Sequence, residues 1–185
     1  MPVLIVVAGP NGCGKSTLTR TSKLIGIEVI DPDMLARSMP VGNAMREALR
    51  RRRSALEAGR SHLVETTLSG TGVLRHIKEA RRMAYWVVLH YVSLESPDQA
   101  LDRIRNRVKL GGHDVPEADV RRRFLRSHAN LPTAAALVNE VCLHDNTSPD
   151  SPHREFAILS KGKCRTFGDV PDWAEPMIAL VKSHM

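Results

Sequence analysis

The run Gly9-Pro10-Asn11-Gly12-Cys13-Gly14-Lys15-Ser16 constrains the fold more than any other feature of this chain. It follows the apolar stretch Val3 to Ala8 and opens a stretch of helical periodicity. In that position a Gly-x-x-x-x-Gly-Lys-Ser run closes its backbone N–H groups around a phosphate. Glycine reaches positive φ without steric strain, and the helix behind it adds positive potential. Pro10, Asn11, Gly12, Cys13, Gly14, Lys15, Ser16 and Thr17 are therefore the expected nucleotide-binding residues. Lys15 would reach the β- and γ-phosphates, and the Ser16 hydroxyl is the candidate metal ligand, for Mg2+. The expected nucleotide is ATP. A glycine turn without a ligand is the competing reading, and the strand–loop–helix context weighs against it.

Around this loop, apolar runs alternate with helical periods. Strands are expected over 3–8, 27–31, 62–66, 85–94 and 141–144. Helices are expected over 15–23, 33–38, 41–58, 72–83, 97–110, 116–128 and 133–139. Strands alternating with helices of this length predict an α/β fold: a mostly parallel five-stranded sheet flanked by helices. The runs 156–159 and 164–167, separated by Ser160-Lys161-Gly162-Lys163, predict an appended C-terminal β-hairpin. The chain has 185 residues and 42% apolar composition, which fits a single domain over 1–185 with a substantial core.

Composition narrows the class further. Cys13, Cys142 and Cys164 are an odd number at wide spacing, which points to reduced thiols and a cytoplasmic setting. No apolar run reaches the roughly 18–20 residues of a membrane span, and the apolar opening lacks the charged flank of a secretory signal. The eight histidines show no ligand spacing along the sequence, so no structural metal is expected. Net charge is +7, and 20 of the 27 basic residues are arginine, whose planar fork suits phosphate. The surplus predicts an anionic partner without distinguishing a nucleotide from a nucleic acid. Aromatic residues are only 4%, so stacking platforms for single-stranded nucleic acid are scarce. The base-reading Asn-Lys-x-Asp of GTP-binding switches is missing, and a small single-domain kinase fits the length best.

A kinase acting on a hydroxyl needs a carboxylate near the transferred phosphoryl group. The second strand ends in Ile30-Asp31-Pro32-Asp33, and ligands of parallel sheets sit at the carboxyl ends of strands. Asp33 is the expected catalytic base. The alternative is that Asp31 or Asp33 caps the following helix, and one residue could do each job. Glu65 ends the third strand, expected beside the first. It would hold a magnesium-bound water or a substrate hydroxyl, or be a buried strand-end carboxylate paired with a nearby arginine. Asp145-Asn146-Thr147 follows the fifth strand and reads either as an adenine contact or as an Asx turn.

The helix over 97–110 would bury Leu101, Ile104 and Val108, leaving Arg103, Arg105 and Arg107 off that stripe. Gly111-Gly112 then breaks it before a helix carrying Arg121, Arg122, Arg123 and Arg126. Two arginine-bearing helices joined by such a turn predict a lid over about 105–128 that closes on the phosphates. Arg50, Arg51, Arg52 and Arg53 read as a solvated helix face, with binding to an acidic protein partner or RNA as the alternative.

In four motifs the chain resembles the zeta toxin-like kinases, most of all their short bacterial branch often labelled as predicted ATPases. These are Ala8 to Thr17, Ile30-Asp31-Pro32-Asp33, Glu65-Thr66-Thr67-Leu68-Ser69-Gly70, and Arg107-Val108 followed by Gly111-Gly112-His113 and Val115-Pro116. The resemblance implies a P-loop kinase fold and an ATP- and Mg2+-dependent phosphotransferase. It implies Asp33 as the base, Thr67 as a substrate contact beside Asp33 and Glu65, and Arg107 as a catalytic lid arginine alongside Lys15. It implies a small-molecule phosphate acceptor, of which UDP-N-acetylglucosamine is the family example, and an antitoxin protein as possible partner. Ser69 stands where the toxins carry a substrate arginine, and His113 where they carry a second lid arginine; one of Arg121, Arg122 and Arg123 could replace the latter. The other reading from the residues is a nucleic-acid-directed protein, either a polynucleotide kinase or an ATP-gated RNA binder.

Overall fold

Val3–Ala8 has the β-branched, doubly apolar character of a central parallel strand, and it forms β1, the middle one of the five parallel strands. The computed structural model describes residues 1–21 and 27–184. Helix α1 covers Lys15–Thr21, and the last two residues of the expected helix over 15–23 lie outside the described residues. There follow β2 (Glu28–Ile30), α2 (Pro32–Leu35), α3 (Val41–Glu57), β3 (His62–Thr66), α4 (Gly72–Arg82) and β4 (Trp86–Ser93). The second half has α5 (Pro97–Lys109), α6 (Glu117–Ala135), β5 (Glu140–Asp145), β6 (Arg154–Ser160), β7 (Lys163–Thr166) and α7 (Glu175–His184). The sheet runs β2-β3-β1-β4-β5-β6-β7. Its first five strands are parallel, and the β6–β7 hairpin extends it antiparallel from the edge of β5. Among the described residues no helix is long and apolar enough to cross a membrane.

Alternate residues of each strand feed two faces. Leu4, Val6, Val64, Leu89 and Leu143 point into the main core with Ala48, Ile77, Leu131 and Ile178 from α3, α4, α6 and α7. Ile5, Val7 and Leu63 face the other way, with Leu18 of α1 packed on them. A third cluster joins Cys13 of the phosphate loop to Val92, Leu94, Leu101, Ile104, Val120 and Phe124. The roots of α5 and α6 are thereby held against the loop.

Three expectations are corrected. The helices expected over 116–128 and 133–139 are one helix, α6, with Pro132 inside it. Proline removes one helical N–H, but Leu131, Ala134 and Ala135 are buried on either side, and their packing outweighs the lost bond. Val108 is not buried with Leu101 and Ile104; it is 37% exposed, because α5 has left the core by its last turn. Helix α7 has no counterpart in the sequence reading, and it packs on α6.

Burial holds His76 on α4 and His128 on α6 neutral. His76 is pushed down to about 3 by desolvation, then by the nearby charge of His62, and His128 to about 4 by desolvation. The unfolded chain takes up these protons near pH 6.5, so it binds more protons than the folded one between there and about pH 4. Stability present above pH 6.5 is therefore lost as pH falls, by roughly 1.4 kcal/mol per histidine per pH unit. Melting temperature measured from pH 7 to 4.5 should fall steadily; a flat profile would mean that the two rings take up protons as readily in the folded chain as in the unfolded one.

Candidate active site

The phosphate loop is built as its glycines require. Gly9 has φ +143°, and a Cβ there would lie 2.0 Å from the Val92 carbonyl oxygen. Gly14 has φ +97°, and its Cβ would meet Asn146 Nδ2 at 2.5 Å. Lys15 Nζ sits inside the loop, donating to the carbonyls of Gly9 (2.9 Å) and Pro10 (2.8 Å). Cys13 is fully buried, and burial pushes its thiol up against the opposing pull of the Lys15 ammonium. Asn11 Oδ1 is buried without a hydrogen-bond partner in the structure.

The sheet order brings β3 next to β1, and this places Glu65 over the first turn of α1. Ser16 Oγ donates to Glu65 Oε2 at 2.8 Å. Two oxygen donors at the end of a phosphate loop form a hard set that suits Mg2+. Glu65 is 6% exposed, and its backbone oxygen accepts from the Arg52 guanidinium at 3.3 Å. Arg52 thus corrects the reading of its run as a solvated face. Arg50 and Arg51 pair with Glu47, and Arg53 with Glu57, on the surface. Arg52 instead points under the sheet edge, with its Nε buried and unpartnered. Burial lowers its pKa from the ordinary arginine value, and the charge of Asp31 opposes that.

The two aspartates after β2 are told apart by geometry. Asp31 is the N-cap of α2, its Oδ1 accepting from the Asp33 N–H at 2.9 Å. It is buried, and desolvation raises its pKa, with the charges of Glu65 and Asp33 adding to the rise. Asp33 is exposed on the first turn of the same helix. Capping is therefore done by Asp31, and the Asp33 carboxylate is not used for it. Thr67 Oγ1 lies 2.8 Å from Ser69 Oγ, on a loop whose Leu68 has φ +54° and whose Leu68 carbonyl is held by Asn130 of α6.

The segment expected to form a lid consists of α5, the Gly111-Gly112 turn and α6. Arg107 is exposed, and its guanidinium donates to the His113 carbonyl at 2.6 Å, bracing the turn from within. Gly112 packs so closely that a Cβ would lie 2.5 Å from Arg107 Cγ. Arg105, Arg121, Arg122 and Arg123 are paired with Asp98, Asp102, Glu117 and Asp119 on the same two helices. Arg103 of α5, named in the sequence only as one arginine of the first lid helix, reaches the segment that braces the phosphate loop. It donates to the Asn146 carbonyl, and its charge joins that of Lys15 in opposing the rise that burial imposes on the Cys13 thiol.

After β5, the side chains of Asp145 and Asn146 are committed to the fold. Asp145 Oδ1 accepts from Thr147 N and Oγ1 and from Trp173 Nε1, which makes the Asx turn. Asn146 donates to the Cys13 carbonyl at 2.8 Å and accepts from His153 N at 3.0 Å, while His153 Nε2 lies 3.0 Å from the Gly14 carbonyl. Asn146 and His153 together brace the phosphate loop from the far strand. Asn146→Ala should orphan the Cys13 carbonyl and the His153 N–H, destabilising the chain by about 1–3 kcal/mol per orphaned group and weakening ATP binding. Urea unfolding and an ATP titration check this. If both are unchanged, the loop is held by its own strand and helix alone.

The chain is 32% identical over 127 residues to an uncharacterized protein of Haemophilus influenzae, covering 65% of this chain and 91% of that protein. No protein-family model matches it. A chain of the AvrRxo1-ORF1:-ORF2 complex, solved with ATP, superposes with a TM-score of 0.71 at 16% identity over 98% of this chain. The present chain spans only 64% of that protein's length. The PezAT chromosomal toxin–antitoxin system of Streptococcus pneumoniae gives a TM-score of 0.68 at 16% identity, over 100% of this chain and 86% of the other. At these identities the two structural likenesses are likenesses of fold.

Proposed function

We infer that this chain, which belongs to one family with the Haemophilus influenzae protein and has the zeta toxin-like P-loop kinase fold, transfers the γ-phosphoryl group of ATP to a hydroxyl of a small acceptor. The observation that carries this reading is the division of labour at the carboxyl edge of the sheet. Ser16 and Glu65 meet at 2.8 Å beside the phosphate loop, and Asp31 does the capping, so Asp33 is free to act on substrate.

In this reading the loop amides and Lys15 bind the β- and γ-phosphates, and Ser16 with Glu65 would hold Mg2+. When bound, that ion neutralises charge on the phosphates. Asp33 accepts the proton of the acceptor hydroxyl as its oxygen bonds to the γ-phosphorus, and ADP leaves. Thr67 contacts the acceptor, and Ser69 leaves unfilled the anion contact that an arginine makes in the toxins. Arg107 reaches the phosphates only if the lid turn rearranges, since its guanidinium is spent on His113. A nucleotide sugar such as UDP-N-acetylglucosamine meets the need for both a hydroxyl and a diphosphate. The names of the two structural relatives, one a complex and one a toxin–antitoxin system, support an antitoxin as partner. Self-pairing of the lid arginines with acidic residues favours this reading over a nucleic-acid-directed one.

The test is incubation with γ-labelled ATP and a panel of nucleotide sugars, nucleosides and RNA 5′ ends. Label is expected on a nucleotide sugar. Transfer to RNA ends alone, or ATP binding without transfer to any acceptor, would overturn the assignment.

A further inference from the structure

On the sheet face opposite the main core, β4, β5 and β6 bring His90, His144 and Glu155 together, far apart as they are in sequence. Their ligand atoms all lie within 4.8 Å of one another. His90 Nδ1 is 3.0 Å from His144 Nε2, which is 3.9 Å from Glu155 Oε2. We propose that these three side chains bind a divalent transition metal of the zinc class, a site separate from the nucleotide loop.

Strand geometry assembles the site. The β5–β6 register slips between Leu143 and His144, so that Leu143 faces Ala157 but His144 faces Glu155. A regular ladder would have set Phe156 opposite His144. The bulge instead sends Phe156 into the main core and brings a carboxylate beside the imidazole.

One histidine is already set as a ligand, and His90 joins it by giving up the Nδ1 proton it donates to His144 Nε2. His144 Nδ1 lies 3.4 Å from the His153 carbonyl oxygen, which can only accept, so Nδ1 carries the proton. The Nε2 lone pair is left facing His90 and Glu155, and a ring oriented by a backbone carbonyl is the usual support of a metal-binding histidine. With metal–ligand distances of about 2.0–2.2 Å, tetrahedral donors stand roughly 3.3 Å apart. The observed 3.0 and 3.9 Å bracket that spacing.

Charge points the same way. Glu140 and Cys142 adjoin the cluster, with Cys142 Sγ 3.8 Å from Glu140 Oε1. Among the described residues no lysine or arginine pairs with Glu140 or Glu155, in a chain whose net charge is +7. Two imidazoles and a carboxylate form the borderline donor set that selects zinc, cobalt or nickel over magnesium. Three protein ligands leave a coordination position for water.

The test uses the untagged full chain, stripped with a chelator and titrated with Co2+, followed by its visible ligand-field absorption. One saturable equivalent is expected, displaced by Zn2+ and untouched by millimolar Mg2+. Glu155→Gln, which preserves shape, and His144→Ala should each weaken Co2+ binding at least 10-fold, the lower bound for disturbing a metal's supporting residues. His113→Ala, on the exposed lid turn, should leave it unchanged. Circular dichroism confirms that each variant is folded, and Zn2+ should raise the melting temperature of the wild type but not of Glu155→Gln. Failure to saturate at one equivalent, or wild-type affinity in folded Glu155→Gln, would overturn the site. So would equal weakening by His113→Ala.

Discussion

Asn in place of Asp33 is expected to lower phosphoryl transfer by about 10²–10⁴-fold, the usual worth of a positioned acid–base group. The substitution keeps the shape of the side chain and removes only its ability to take a proton. The ATP–Mg2+ dissociation constant should hardly change, because the loop amides, Lys15, Ser16 and Glu65 lie on other elements. The fold should be indifferent as well: the α2 cap belongs to Asp31, whose Oδ1 accepts from the backbone N–H of residue 33 and not from its side chain. The measurement pairs the ATP dissociation constant with the single-turnover rate. Unchanged transfer would remove Asp33 as the base. A parallel loss of affinity and rate, relieved by added magnesium, would make it a metal-holding residue instead.

Lys15→Ala should have an effect of similar size by a different route. Its ammonium already donates to the carbonyls of Gly9 and Pro10, so the side chain lies along the loop where the phosphates would bind. Removing a charge-assisted contact worth about 1.5–3 kcal/mol should weaken ATP binding roughly 10- to 100-fold. Transfer should fall further, by about 10²–10³, since charge on the departing phosphates grows towards the transition state. Lys15→Arg should not rescue it, because a planar guanidinium cannot fill the place of a compact ammonium among those carbonyls. Turnover equal to wild type in Lys15→Ala would show that the loop is not the working site.

What could be read from the sequence alone was local. A phosphate loop needs glycine where the backbone turns through positive φ, followed at once by Lys and Ser. All of those demands fall within the short run from Gly9 to Ser16. The parallel strands were legible from their apolar runs, and the hairpin from its Lys-Gly turn. The carboxylates Asp31, Asp33 and Glu65 were legible because strand ends in such a sheet face the ligand. Strand order and register decided the rest. The sequence could name Asp31 and Asp33 as candidates for cap and base, but only the φ, ψ and hydrogen bond at Asp31 gave it the cap. Arg52 was one of four consecutive arginines, indistinguishable until α3 packed against the sheet and turned one of them inward. Asn146 and His153 brace the loop across more than 130 residues, and His90, His144 and Glu155 meet only because β4, β5 and β6 are neighbours with a bulge between two of them. Such contacts leave no periodicity in the chain: their energy comes from groups that become adjacent only after the sheet has formed.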